Sequence, residues 1–122
     1  HATVSRFCTG TVGSAETEYL NMAACSGATT LTATYIVTQP GVIGTLRVNT
    51  SVAFTGGTAK DVATVYKNGS GTTITCTGAA MATTCSDLTH FVTVAAGDVL
   101  AVQFVTATSD MAANVSASFE VY

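Results

Sequence analysis

Residues 92–105, VTVAAGDVLAVQFV, form the longest apolar run in the chain, and their reading decides the fold. Gly97 and Asp98 break the run well before the ~18 apolar residues that a membrane-crossing helix needs. Ahead of the break, Val92 and Val94 flank Thr93. After it, Leu100, Val102 and Phe104 share one face of an extended chain, while Val99, Ala101 and Val105 share the other. A period of two predicts strands, and apolar residues on both faces predict a central strand covered on both sides. The Gly-Asp pair is turn chemistry.

The same period continues outward from this run. Residues 114–122, NVSASFEVY, set Val115, Ala117, Phe119 and Val121 against Asn114, Ser116, Ser118 and Glu120. Residues 46–54, LRVNTSVAF, align Leu46, Val48, Val52 and Phe54; residues 30–38, TLTATYIVT, align Leu31, Ala33, Tyr35 and Val37. Val, Thr, Phe and Tyr suit a pleated, half-buried surface. QPGV (39–42), TGGTAKD (55–61), KNGSG (67–71) and AAGD (95–98) supply turns between such runs. Asn68-Gly69 is the most specific of these signals, the tip of a hairpin. Residues 14–25, SAETEYLNMAAC, come nearest to helical spacing and predict at most a short helical turn. About eight to ten short strands separated by turns predict an all-β fold, an antiparallel jelly-roll β-sandwich. It is expected to form one domain over residues 1–122, with 1–13 an exchangeable N-terminal strand.

Hydrophobic residues make up 48% of the chain and charged residues 9%, with a net charge of −3. That charge excludes a basic patch, so neither nucleic acid nor an anionic membrane surface is an expected partner. Surfaces of small soluble domains usually carry about a quarter or more charged residues. Threonine and serine must cover this one, either under a coat of glycans or beneath neighbouring copies. Three Asn-x-Ser/Thr sequons, at Asn49, Asn68 and Asn114, are candidate glycosylation sites.

Cys8, Cys25, Cys76 and Cys85 are an even set in a chain that starts on His1 rather than methionine, as expected of a secreted protein after signal-peptide removal. Three pairings are open. The local one, Cys8–Cys25 with Cys76–Cys85, demands the least rearrangement of the chain and is the expected one. Zinc is the competing reading, but no Cys-x-x-Cys pair is present.

From Pro40 onward the chain resembles the jelly rolls of the tumour necrosis factor and complement globular-head superfamily. PGVIGTLRV is similar to the Pro-Gly lead into a central strand there. VATVYKNG resembles the strand that ends in Lys-Asn-Gly before a hairpin. VTVAAGDVLAVQF resembles paired strands joined by a Gly-Asp turn, and SASFEVY the closing strand with its aromatic end. The resemblance covers about two-thirds of the chain, leaves out the first forty residues, and includes no collagen-like stalk. It implies an extracellular module that self-associates through its sheet faces, usually around a threefold axis.

Candidate chemistry is sparse. A free N-terminal histidine grips copper when a second imidazole completes a square-planar site, which makes His1 a weak candidate metal ligand with His90 as its sole possible partner. In LTHFVTV (88–94), however, His90 shares a face with Leu88, Val92 and Val94 and reads as packed. Ser86, Asp87 and His90 carry the names of a catalytic triad, yet Ser86 and Asp87 would point to opposite faces of a strand. Glu16 and Glu18 share a face if extended, with no second pair to complete a glycosidase or calcium site. Asp61 and Asp110 are loop carboxylates with calcium as the lesser reading, and Asp98 is a turn residue. No enzyme activity and no cofactor is expected.

The N-terminal stretch ATVSRFCTGTV (2–12) alternates Ala2, Val4 and Cys8 against Thr3, Ser5 and Phe7. It either closes its own sandwich or adds to the open edge of a neighbour. Ala2, Val4 and Phe7 are the candidate assembly residues, with Val4 and Phe7 filling pockets and Cys8 anchoring the base. The sequence thus predicts a secreted structural subunit that assembles with copies of itself, first into a filament. A closed homotrimeric head for binding or adhesion is the alternative, and a copper protein using His1 the third reading.

Overall fold

Asn68 and Gly69 both take positive φ, 52° and 83°. This is the left-handed pair of a type I′ turn, whose twist matches the strands it joins. The computed structural model describes residues 3–8, 16–20, 27–28, 35–51, 61–79, 81–106 and 115–122. They form eleven strands: β1 (Thr3–Cys8), β2 (Thr17–Leu20), β3 (Gly27–Ala28), β4 (Tyr35–Ile36), β5 (Gly41–Asn49), β6 (Val62–Lys67), β7 (Ser70–Thr77), β8 (Thr84–Asp87), β9 (Val92–Val94), β10 (Val99–Val105) and β11 (Ser116–Val121). Among these residues no helix is long and apolar enough to cross a membrane.

In the first sheet the order is β1-β11-β5-β8, with β9 also paired to β5. In the second it is β3-β2-β10-β6-β7, with β4 also paired to β10. All pairings are antiparallel. The chain crosses from sheet to sheet between successive strands, except where β6 turns directly into β7, where β8 and β9 both stay on β5 in the first sheet, and where β2, β3 and β4 stay in the second sheet. That path is a jelly roll.

Two local expectations are corrected. Thr17–Leu20 is strand β2 rather than part of a helical turn. Its Tyr19 stands opposite Gln103 of β10, and Leu20 is fully buried, so tertiary pairing overrides a weak helical pattern. β9 and β10 are not partners across the Gly-Asp turn, because β9 belongs to the first sheet and β10 to the second. Gly97 (φ 92°) turns the chain across the sandwich, with its N–H on the Val37 carbonyl at 2.8 Å.

Leu100, Val102 and Phe104 from β10 meet Val115, Ala117 and Phe119 from the closing segment in one core. Each large side chain buried there contributes roughly 1.5–3 kcal/mol. Ala101, on the opposite face of β10, is buried as well, as a central strand requires. In β5 both Ile43 and Leu46 reach the core, although they stand three positions apart. A β-bulge resolves the parity: the pairing with β11 slips between Ser118 and Glu120, and Thr45 adopts φ 57°. The extra residue restores Leu46 and Val48 to the inner face.

β7 and β8 are edge strands of different sheets, and the Cys76–Cys85 disulfide joins them with their Cα atoms 5.8 Å apart. The expected stapled loop is thus a covalent seam along one side of the sandwich. Replacing both cysteines by alanine is expected to cost about 2.5 kcal/mol, the loop-closure entropy of a short ring. A lowered urea midpoint, with a slope no smaller than that of the parent chain, checks this.

Candidate functional site

β1 lies at the opposite side of the molecule from that seam. It is the edge of the first sheet, pairing with β11 from Thr3 opposite Val121 to Cys8 opposite Ser116. Its other side carries no strand among the described residues. Phe7 is fully buried and stacks on Phe119, ring centroids 5.5 Å apart and planes 21° from parallel. Val4 stands opposite Glu120 and Phe7 opposite Ala117, which places them in alternate register rows. Cys8 is half-buried and disulfide-bonded. His1, Ala2 and Cys25, its expected partner, lie outside the described residues, as do Asp110 and Asn114.

Asp87 ends β8 pointing inward, almost fully buried. Its Oδ1 accepts hydrogen bonds from the Thr89 N–H (3.1 Å), the Thr89 hydroxyl (3.2 Å) and the His90 N–H (3.2 Å). Its Oδ2 accepts from the Thr75 N–H of β7 (3.1 Å) and lies 2.8 Å from His90 Nδ1. Burial opposes its ionisation, but the bonds from Thr89, Thr75 and His90 outweigh burial and bring its pKa from 3.8 down to about 2. Asp87 therefore folds 88–90 into a turn and ties the two sheet edges together beside the disulfide.

That turn corrects the reading of His90 as a packed strand residue. Its side chain is 55% exposed, and β9 begins only at Val92. Ser86 is exposed on the outer face of β8 while Asp87 points inward, so the three names never converge as a triad. Among the described residues no group of three or more His, Cys, Asp or Glu side chains is placed to hold a metal.

The remaining candidates take separate places. Glu16 is exposed just before β2, and Glu18 is half-buried within it. Burial, and then the charge of Glu16, push the Glu18 carboxyl above the usual carboxylate range. Asp61 is buried at the start of β6, and Gly78 N–H donates to its carbonyl at 2.8 Å. Asp98 accepts from Ala95 N–H (2.8 Å) and from the Asn68 side-chain amide (2.9 Å), whose own oxygen accepts from Val99 N–H (2.9 Å). Asn68 thus locks the hairpin tip to the Gly-Asp turn. Asn49 is exposed on the outer face of β5.

One feature escaped the sequence pattern. Phe91 and Tyr122, each about half exposed, meet edge to face at 6.2 Å on the outer face of the first sheet. Gly44 lies directly beneath the Phe91 ring, where a Cβ would collide with it. A Cβ on Gly41 would collide with the backbone carbonyl of Tyr122. The Tyr122 hydroxyl donates to Glu120 and lies 2.7 Å from the Thr45 hydroxyl. The two glycines three residues apart in β5 were the available signal, since a strand interior rarely keeps glycine without a close neighbour.

No protein-family model and no curated protein matches the chain. Among solved structures it is similar to one described as CBM35 from Cellvibrio japonicus Abf62, at 22% identity, over 98% of this chain and 92% of that chain, with a TM-score of 0.46. The strand order above makes the chain a jelly-roll β-sandwich by its own connectivity.

Proposed function

We propose that the protein is a non-enzymatic, extracellular structural subunit that builds a filament by adding its N-terminal strand to a neighbour's sheet. The carrying observation is the seat of β1. Among the described residues this edge strand pairs with one strand, β11, and plants one fully buried ring, Phe7, beside Phe119. Withdrawing it exposes a ladder edge and a hole shaped for one aromatic side chain. The same segment of a second copy supplies both the hydrogen bonds and the ring. Repeated head to tail, such a contact does not close and propagates as a fibre. The far side of the sandwich, sealed by Cys76–Cys85 and Asp87, stays folded during the exchange. A disulfide and a chain with only 9% charged residues suit an oxidising, crowded assembly.

Electron microscopy of the full chain and of a variant lacking residues 1–7 tests this. Fibres are expected from the full chain and none from the variant. A synthetic peptide of residues 1–13 is expected to bind the variant and restore its folding cooperativity. A full chain that stays monomeric at high concentration overturns the reading. The exposed Phe91–Tyr122 pair favours a second reading, a closed trimer packed through the outer face of the first sheet. Such a trimer persists in sedimentation after the N-terminal deletion and dissociates with Tyr122→Ser.

A further inference from the structure

The outer face of the first sheet carries a second, chemically distinct region. Across β11, β5 and β8 the register aligns Ser118, Arg47 and Ser86 in one row and Ser116, Asn49 and Thr84 in the next. These side chains wall a shallow groove of about 430 Å³, floored by the strands themselves. That volume lies within the roughly 300–1,000 Å³ of small-molecule sites. Strands ~4.8 Å apart and rows two residues apart spread the polar groups over a grid of about 10 by 7 Å.

Among the described residues the groups on this grid have no partner within the protein. None of the six side chains makes a hydrogen bond or ion pair among the described residues. Several polar side chains elsewhere on the sheets are engaged, as in Thr64–Thr75 (3.1 Å), Asn68–Asp98 (2.9 Å) and Gln103–Tyr19 (3.2 Å). Among the described residues no carboxylate lines the groove. Arg6, the chain's other arginine, stands opposite Ser118 at the head of the Arg47 row. Both arginines of a chain with only four cationic side chains therefore fall in a single register row.

We propose that this groove binds an anionic saccharide, with its oxyanion on Arg47 and its hydroxyls on the serine, threonine and asparagine rows. A guanidinium presents a planar fork that carboxylate and sulfate groups match with two bonds. Five neutral polar groups spread around it fit a ligand with one charge and many hydroxyls better than a bare ion, which needs its donors converged on a point. The groove offers no aromatic or large aliphatic anchor of the kind that carries protein–protein affinity. This site is independent of the strand-exchange reading.

Calorimetric titration of the full chain tests it with a uronate disaccharide, a sulfated disaccharide, a neutral disaccharide and inorganic sulfate, at matched ionic strength. At least one acidic disaccharide is expected to bind about tenfold or more tightly than the neutral one, and Arg47→Gln is expected to remove that advantage. Ser86→Ala, which keeps the charge, is expected to weaken binding by a few-fold. Arg47 is exposed, and an unchanged thermal midpoint confirms that its variant folds. Absence of binding, equal binding of neutral and acidic sugars, binding unaffected by Arg47→Gln, or inorganic sulfate binding as tightly as the disaccharides each overturn the proposal.

Discussion

Phe7→Ala is expected to destabilise the folded chain by about 3–5 kcal/mol, the range for removing a fully buried aromatic ring. The ring is fully buried, and it loses its stacked contact with Phe119 as well as its transfer energy. Natural domains hold only about 5–15 kcal/mol in reserve, so the loss is a large fraction of the whole. Its consequence is directional. Among the described residues β1 has one pairing partner, whereas β11 is held on both sides by β1 and β5. Amide exchange is therefore expected to accelerate first in residues 3–8, while the β6–β7 hairpin keeps its protection. Phe7→Leu, which refills most of the hole, is expected to recover more than half of the loss. If Phe7→Ala shifts the urea midpoint by no more than a surface substitution does, Phe7 does not hold the strand in its seat.

Asp87→Ala is expected to cost about 3 kcal/mol, because hydrogen bonds to a charged group contribute roughly 1.5–3 kcal/mol and several of them, part-buried, are lost together. The N–H groups of Thr75, Thr89 and His90 all lose their acceptor at once. The pH dependence has a definite sign. The carboxyl has a folded pKa near 2 against an ordinary 3.8, so its contribution is complete above 3.8. It is lost progressively as pH falls from that value through 2. Asp87→Asn keeps the shape but not the charge, and is expected to flatten the stability profile between pH 4 and 2 relative to the parent chain. Urea denaturation at a series of acidic pH values makes the measurement. A parent profile already flat in that window contradicts the assignment.

Much of the fold was legible because burial in a strand has a period of two. Leu100, Val102 and Phe104 were placed together, as were Val115, Ala117 and Phe119, and all are in the core. Asn68-Gly69 forms the hairpin tip, since few other residue pairs accept two consecutive positive φ angles. Cys76 and Cys85 are bonded as the short spacing suggested. His90 was misplaced, because period two was extended through residues that the Asp87 carboxylate had already gathered into a turn. The groove residues Arg47 and Ser118 are remote in sequence, and nothing in the stretches around them marks a binding site.

Sequence alone therefore determined the apolar face of most strands, the turns at Asn68-Gly69 and Gly97-Asp98, and how little charge the chain carries, because each of these is set by local chemistry. Only the tertiary structure decided which strands are neighbours. Alternation specifies the face of a strand but not its partner, so it did not separate β9 and β10 into different sheets. Nor did it reveal the extra residue at Thr45 that brings Ile43 and Leu46 to the same core. The stacking of Phe7 on Phe119, and the row that aligns Ser118, Arg47 and Ser86, arise from pairings between segments far apart in the chain. Those pairings are chosen by the packing of the whole sandwich, which no local pattern encodes.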